Sequence, residues 1–175
     1  MDRKQIEEIF ELLFENSRQA IERKEVPVSC CIAEQNSENG EFKIIAVEHN
    51  LTNVMKNATK HCEILCLEKA IEAKCDLSQC VILVTVEPCL MCGYALKLAK
   101  ITKAYYILPN DKFGGIESLF NINLNCEKID YNKETVLGFL RGFYQHGNDK
   151  LEPEKRHRFK KRDKTPLPEK KIKEN

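Results

Sequence analysis

Ile6, Ile9, Phe10, Leu13, Ser17, Ala20 and Ile21 recur at intervals of three and four, with Glu, Lys and Arg between them. That period puts them on one stripe of an amphipathic helix over residues 2–23. Val26–Ala33 and Phe42–His49 are β-prone runs on either side of the turn cluster 35–40, so they predict a hairpin. A polar loop, Asn50–Lys60, leads into a second helix from about His61 to Lys74. Val81–Val86 is unbroken and β-branched or aliphatic, as a central strand covered on both faces should be. A third helix follows from Cys89 to about Ala99, then a strand over Ala104–Leu108. Asn110–Ser118, with the Gly114-Gly115 pair, reads as a loop over a site, and Ile122–Ile129 as an edge strand. Glu134–Gln145 closes the fold as a helix with Val136, Leu137, Leu140, Phe143 and Tyr144 inward and Gly147 as its C-cap. A helix, a hairpin and then alternating helix and strand predict an α/β fold, a three-layer α/β/α sandwich with a mixed five-stranded sheet.

Beyond Asp149 the apolar period is lost. Residues 1–149 read as the folded domain and 150–175 as a basic, largely disordered tail. The net charge of +1 hides this division. Residues 155–175 carry ten Lys/Arg against three Asp/Glu, and residues 1–154 carry 18 against 24, so the tail is +7 and the body −6. Within the tail, Lys155, Arg156, Arg158, Lys160, Lys161 and Arg162 form a dense run that reads as a solvated tail, a nuclear localisation signal or a contact to nucleic-acid phosphates. The phosphate contact is the favoured reading. No apolar run approaches a membrane span and the N-terminus has no signal-peptide core, so an intracellular protein, cytoplasmic or nuclear, is expected. In that compartment nine cysteines argue for free thiols and metal binding rather than disulfides.

The chemistry concentrates in His61-Cys62-Glu63 and Pro88-Cys89-Leu90-Met91-Cys92. One imidazole and two thiolates supply three of the four ligands tetrahedral zinc takes, leaving one place for water. A closed structural site would need a fourth evident protein ligand, and none is present. His61 and Glu63, two apart, can share a site only at a helix start, because such residues otherwise point apart. Cys89 and Cys92, three apart, share a face, and Pro88 suits a helix mouth. Two helix N-termini would thus converge on one metal, their dipoles favouring both thiolates. Glu63 stands beside the ligands without being needed among them, so it is free to move protons. The plainer alternatives are a structural zinc knuckle or cysteines that only line a core.

His-x-Glu followed by Pro-Cys-x-x-Cys resembles the signature of the zinc nucleobase deaminases. The likeness extends over roughly residues 3–146 and is closest to the tRNA-specific adenosine deaminases, in particular the catalytic subunit of the eukaryotic wobble-editing heterodimer. Glu25-Val26-Pro27-Val28, Asn50, Asn57-Ala58-Thr59-Lys60-His61, Glu87–Cys92 and Asn110-Asp111-Lys112-Phe113-Gly114-Gly115 carry it. The resemblance implies a cytidine deaminase-like fold and one zinc ion on His61, Cys89 and Cys92, with Glu63 as proton shuttle. It further implies that Asn50 and Val28 meet the flipped nucleoside. It also implies a homologous partner lacking the glutamate, and tRNA as substrate. Position 62, usually alanine in such proteins, is cysteine here.

Other residues have plainer readings. Cys62 and Cys66 are expected to be small buried hydrophobes, Cys30 and Cys31 to point to opposite faces of a strand, and His49, His146 and His157 to lie at the surface. Tyr105 and Tyr106 are expected to pack, and Phe113, a loop aromatic, to stack on a base. Three functions compete: wobble-adenosine deamination in tRNA, deamination of a free base or nucleotide (cytosine, guanine or dCMP), and a non-catalytic RNA-binding subunit. The basic tail and the Phe-Gly-Gly loop favour the first over the second. Glu63 speaks against the third.

Overall fold

A computed structural model describes residues 1–35 and 41–145. Helix α1 spans Arg3–Glu22 and starts on a capping box, in which Asp2 accepts from the Gln5 amide and Gln5 answers the Asp2 N–H. Strands β1 (Ser29–Gln35) and β2 (Phe42–His49) form the antiparallel hairpin. Helix α2 (Cys62–Glu72), a 3-10 turn at Leu77–Gln79, β3 (Cys80–Val86), α3 (Leu90–Leu98), β4 (Lys103–Leu108), β5 (Cys126–Lys128) and α4 (Lys133–Gln145) follow. The sheet order is β2-β1-β3-β4-β5, antiparallel at β1–β2 and β1–β3 and parallel at β3–β4 and β4–β5. This is the mixed five-stranded sheet expected, and the hairpin is what makes it mixed.

Alternation along the strands divides the core in two. Cys31, Ala33, Val81, Leu83, Tyr105 and Ile107 face α1 and α4. Cys30, Ile32, Ile82, Val84, Ala104 and Tyr106 face α2 and α3. Cys30 and Cys31 therefore do serve opposite layers, and both tyrosines pack. Because the helix layers bury both faces of β3, that strand is apolar along almost its whole length.

Several expectations need correction. The first strand begins at Ser29 and not at Val26. Pro27 has no N–H to give a ladder, and the Val28 N–H is spent locally on the Val26 carbonyl at 2.7 Å. On α1, Phe14 is buried and Ile21 is 37% exposed. Phe14 is covered because its ring stacks on Tyr131 and meets Phe139 edge-on. On α4 the inward aromatic is accordingly Phe139, while Tyr144 is 51% exposed. The last strand is only Cys126–Lys128, since residues before it fold back on the glycine loop, with the Phe120 and Ile122 amides bonded to the Gly114 and Gly115 carbonyls. His49 is buried at 4% exposure. Its Nδ1 lies 2.8 Å from the Asn16 side-chain oxygen, inside a small polar network with Ser17 and Ser29 that its position at a strand end did not reveal. The tail, the turn 36–40, His146, Gly147 and His157 lie outside the described residues.

Candidate deaminase centre

His61 is the N-cap of α2, with φ −73° and ψ 154°. It is extended while the next residue is helical, and its Nδ1 faces the sulfurs of Cys89 and Cys92. Cys89 is likewise the N-cap of α3, at φ −68° and ψ 171°, and Cys92 falls one turn on. The helix thus starts one residue later than the sequence suggested, with the thiol at the cap itself. Both helices follow strands of the sheet or their loops and begin at its carboxyl edge, where ligands sit in open α/β sheets.

The Nδ1 of His61 lies 3.7 Å from the Cys89 sulfur and 3.6 Å from the Cys92 sulfur, and the three ligand atoms all lie within 4.8 Å of one another. With Zn–S of about 2.3 Å and Zn–N of about 2.05 Å, a tetrahedral centre requires N···S edges of about 3.6 Å. The three donors therefore fit zinc in both chemistry and spacing. Their protons say the same. Hydrogen bonds from the Cys92 thiol and from His61 bring Cys89 down to about 4, and the Cys89 contact and burial push Cys92 far up. His61 is raised by the Cys89 contact. The Cys89 thiolate thus forms readily and the Cys92 thiolate needs a cation, which a divalent soft-to-borderline ion would supply.

Glu63 occupies the first turn of α2 at 3% exposure. Burial raises its pKa above the ordinary carboxylate value. The Cys62 thiol donates to its Oε2 at 3.2 Å, a contact that the reading of Cys62 as a plain hydrophobe missed. Cys62 and Cys66 are indeed fully buried, and the Cys66 sulfur lies 3.3 Å from that of Cys30.

Asn50 is 7% exposed; its oxygen accepts from the Cys62 N–H at 2.9 Å and its amide donates to the Val26 carbonyl at 3.3 Å. It thereby satisfies one of the open N–H groups at the start of α2, where the His61 side chain makes no cap bond. An asparagine offers two donors and two acceptors, so one of each remains for another group. Val28, half-buried, receives the Asn50 N–H on its carbonyl at 3.2 Å. Phe113 is 65% exposed, and its carbonyl takes the Leu90 N–H at 3.0 Å, which sets the residue at the mouth of α3. The basic residues 155–162 lie outside the described residues.

Two buried carboxylates were overlooked. Glu25, 0% exposed, accepts from the Asn53 and Val54 amides and the Thr52 hydroxyl, so it pins the loop that leads to His61. Glu87, 1% exposed, accepts from the amides of Asn110, Ile116, Glu117 and Ser118 and from the Ser118 hydroxyl. Burial works to raise the Glu87 pKa, and these hydrogen bonds outweigh it and hold the group below its usual range. A glutamate flush against an apolar central strand was the available signal, because such a position must be both buried and partnered.

A mixed sheet between two helix pairs, with a His/Cys/Cys cradle and a buried glutamate at its carboxyl edge, defines a deaminase domain of the cytidine deaminase-like fold. The family model described as MafB19-like deaminase matches residues 4–144. The tRNA-specific adenosine deaminase 2 of Danio rerio is 32% identical over 153 residues, covering 77% of this chain and 68% of that one. A tRNA-specific adenosine deaminase subunit of Schizosaccharomyces pombe is 33% identical over 157 residues, covering 83% of this chain and 39% of its own length. A solved structure from a study of A-to-I editing by tRNA deaminases at the wobble position superposes with a TM-score of 0.65 at 28% identity, covering 75% of this chain and 97% of that one. The chain belongs to the tRNA-specific adenosine deaminases.

Proposed function

We propose that this protein is the catalytic subunit of a tRNA wobble deaminase, converting the adenosine that stands first in the anticodon to inosine. Water replaces the 6-amino group of the base, and ammonia leaves. His61, Cys89 and Cys92 would hold a zinc ion, which would supply the Lewis acidity that makes water a nucleophile near neutral pH. Glu63 would take one proton from the attacking water and pass it to the ring nitrogen N1, then take the second from the hydroxyl left on C6 and give it to the departing amine. Its burial serves this role, because a carboxylate raised toward neutrality both accepts and returns a proton. Asn50, with one N–H and one lone pair uncommitted, and Val28 beside it would meet the nucleoside, and the exposed Phe113 ring offers a stacking surface.

The observation that carries the reading is the buried Glu63 in the first turn of α2, two residues from His61 of the three zinc donors, among which it is not needed. A subunit that only binds RNA has no use for it. Two features support a partner. The body, at −6, is a poor match for a polyanion by itself. Met91, Tyr94 and Leu98 are exposed at helical spacing on α3, the helix that carries both thiols, and give apolar surface of the kind another subunit covers. The expected assembly is a heterodimer with a homologous, non-catalytic deaminase-like subunit. In it the partner supplies most contacts to the tRNA body, and this chain gives the centre and the basic run Lys155–Arg162. Among the described residues no helix is long and apolar enough to cross a membrane.

The test is to assay this chain alone and with that subunit, at physiological salt, on a tRNA with adenosine first in its anticodon. Free adenosine, cytosine, guanine and dCMP serve as competing substrates. Inosine formed in the tRNA by the pair, with little from the isolated chain, is the expected result. Ammonia released from a free base or nucleotide, and none from tRNA, would replace the tRNA reading with that of a small-molecule deaminase. Full activity from the isolated chain would remove the heterodimer.

A further inference from the structure

Pro88, Cys89 and Leu90 form the turn that delivers one sulfur to the centre, and the segment 110–118 lies against this turn. The Gly115 N–H donates to the Pro88 carbonyl at 2.9 Å, and the Leu90 N–H to the Phe113 carbonyl at 3.0 Å. The approach is as close as backbones allow. A Cβ on Gly115 would come within 2.8 Å of the Cys89 carbonyl oxygen and the Leu90 Cα. One on Gly114 would come within 2.6 Å of both the Asn110 carbonyl oxygen and the Glu87 Oε2. Backbone atoms cannot swing aside, so neither position admits a side chain without moving the segment off the turn.

Beside those backbone bonds and the bond the Tyr106 hydroxyl donates to the Glu117 carboxylate, one side chain makes most of the contacts that hold the segment down. The Oε1 of Glu87 accepts the Ile116, Glu117 and Ser118 amides at 3.2, 2.8 and 2.9 Å. Its Oε2 accepts the Asn110 amide at 2.9 Å and the Ser118 hydroxyl. The backbone of the same residue is fixed to β4, its N–H donating to the Leu108 carbonyl at 2.8 Å. One buried charge thus gathers both ends of a nine-residue loop, two residues before a proposed metal ligand. Donors to a carboxylate are the stronger kind of hydrogen bond.

We infer that Glu87 is a positioning residue that locks the 110–118 segment, Phe113 included, onto the Cys89 turn, so that the metal ligand and the substrate-facing loop move as one body. This rests on reading His61, Cys89 and Cys92 as the zinc centre. Residues that orient ligands from outside the coordination sphere typically change metal affinity by about 10–100-fold when lost. The lock therefore predicts a metal effect separate from any effect on global stability.

The test compares Glu87→Gln and Ser118→Ala with Val136→Ala, which weakens the core at a fully buried position of α4. For each zinc-loaded protein one measures the rate of zinc transfer to a chromogenic chelator, the deuterium uptake of amides 114–118 and the melting temperature. Glu87→Gln should release zinc at least about tenfold faster than the parent. Ser118→Ala, which removes one donor, should fall between them, and both should exchange the loop amides faster. Val136→Ala should melt lower and release zinc at the parental rate. If Glu87→Gln does not fold, Ser118→Ala carries the comparison alone. Parental release from the variants, or release that merely follows melting temperature as in Val136→Ala, would reduce Glu87 to a fold-stabilising residue. A parent that holds no zinc would sink the zinc reading instead, and deuterium uptake would still decide whether the lock exists.

Discussion

At the scale of single residues the two acids differ in what their burial does. Glu87 is surrounded by donors and stays charged, whereas Glu63 has few donors and is pushed toward its neutral form. Only the second behaviour suits proton transfer. Glu63→Ala should therefore keep zinc and the folded state and lose turnover by at least about a hundredfold, the low end of what a positioned acid–base group contributes. Metal analysis and inosine formation on the same sample check this, and residual activity within about tenfold of the parent would assign the proton to another group. His49 makes a separate prediction. Burial is the chief cause that lowers its pKa below 6.5, with the Arg23 charge adding to it, and its Nε2 has no partner among the described residues. The folded state then disfavours the imidazolium, so the unfolded chain binds protons more readily in this window. Stability from this source is complete above pH 6.5 and is lost as pH falls from there toward the lower folded value. Urea unfolding at pH 8 and pH 5 should show His49→Gln losing less stability than the parent. Equal losses would show that His49 does not titrate in that interval.

Helices α1, α2 and α3 end alike. Lys24, Lys74 and Lys100 have φ of 58°, 57° and 62°. Each follows the C-cap of α1, α2 or α3, and the residue after it returns its N–H to a carbonyl five back: Glu25 to Ala20, Cys75 to Ala70 and Ile101 to Leu96. These are Schellman endings with lysine where glycine is usual. A lysine in this region is strained, and its charge near the helix C-terminus offsets part of the cost. Lys74→Gly and Lys100→Gly should each raise stability by about 0.5–1 kcal/mol, read as a higher urea midpoint at unchanged slope. A lower midpoint would mean that the charge outweighs the strain. The same endings show where the sequence could be read and where it could not. Helix and strand identity followed from periodicity, and the His/Cys/Cys group that could hold a metal from His-x-Glu and Cys-x-x-Cys spacing. Both are local properties. The sites of error depended on what lay across space: Phe14 on Tyr131, Phe139 in place of Tyr144, His49 on Asn16. The roles of Glu25 and Glu87 were hidden for the same reason, since their partners come 23 or more residues later, at 52–54 and 110–118.

For the whole molecule the governing fact is the division of charge, −6 in residues 1–154 against +7 in 155–175. Coulomb repulsion between an acidic body and a polyanion must be overcome somewhere, either by a partner or by the basic run. These two sources separate by salt. Each phosphate neutralised contributes about 0.7–0.9 to the slope of log affinity against log salt. If all six basic side chains from Lys155 to Arg162 meet phosphates, deleting residues 155–175 should flatten that slope by up to about 5. The deletion leaves His61, Cys89, Cys92 and Glu63 in place, so zinc content should not change. Turnover at saturating tRNA should not change either, and the loss should appear in affinity alone. Binding to tRNA titrated at several salt concentrations, for the full chain and the truncation, each with the proposed partner subunit present, decides the matter. An unchanged slope and affinity would leave the partner as the source of the electrostatic attraction, with the basic run only a solvated extension. A flattened slope with lost turnover at saturation would mean instead that the run also helps to seat the anticodon at the centre.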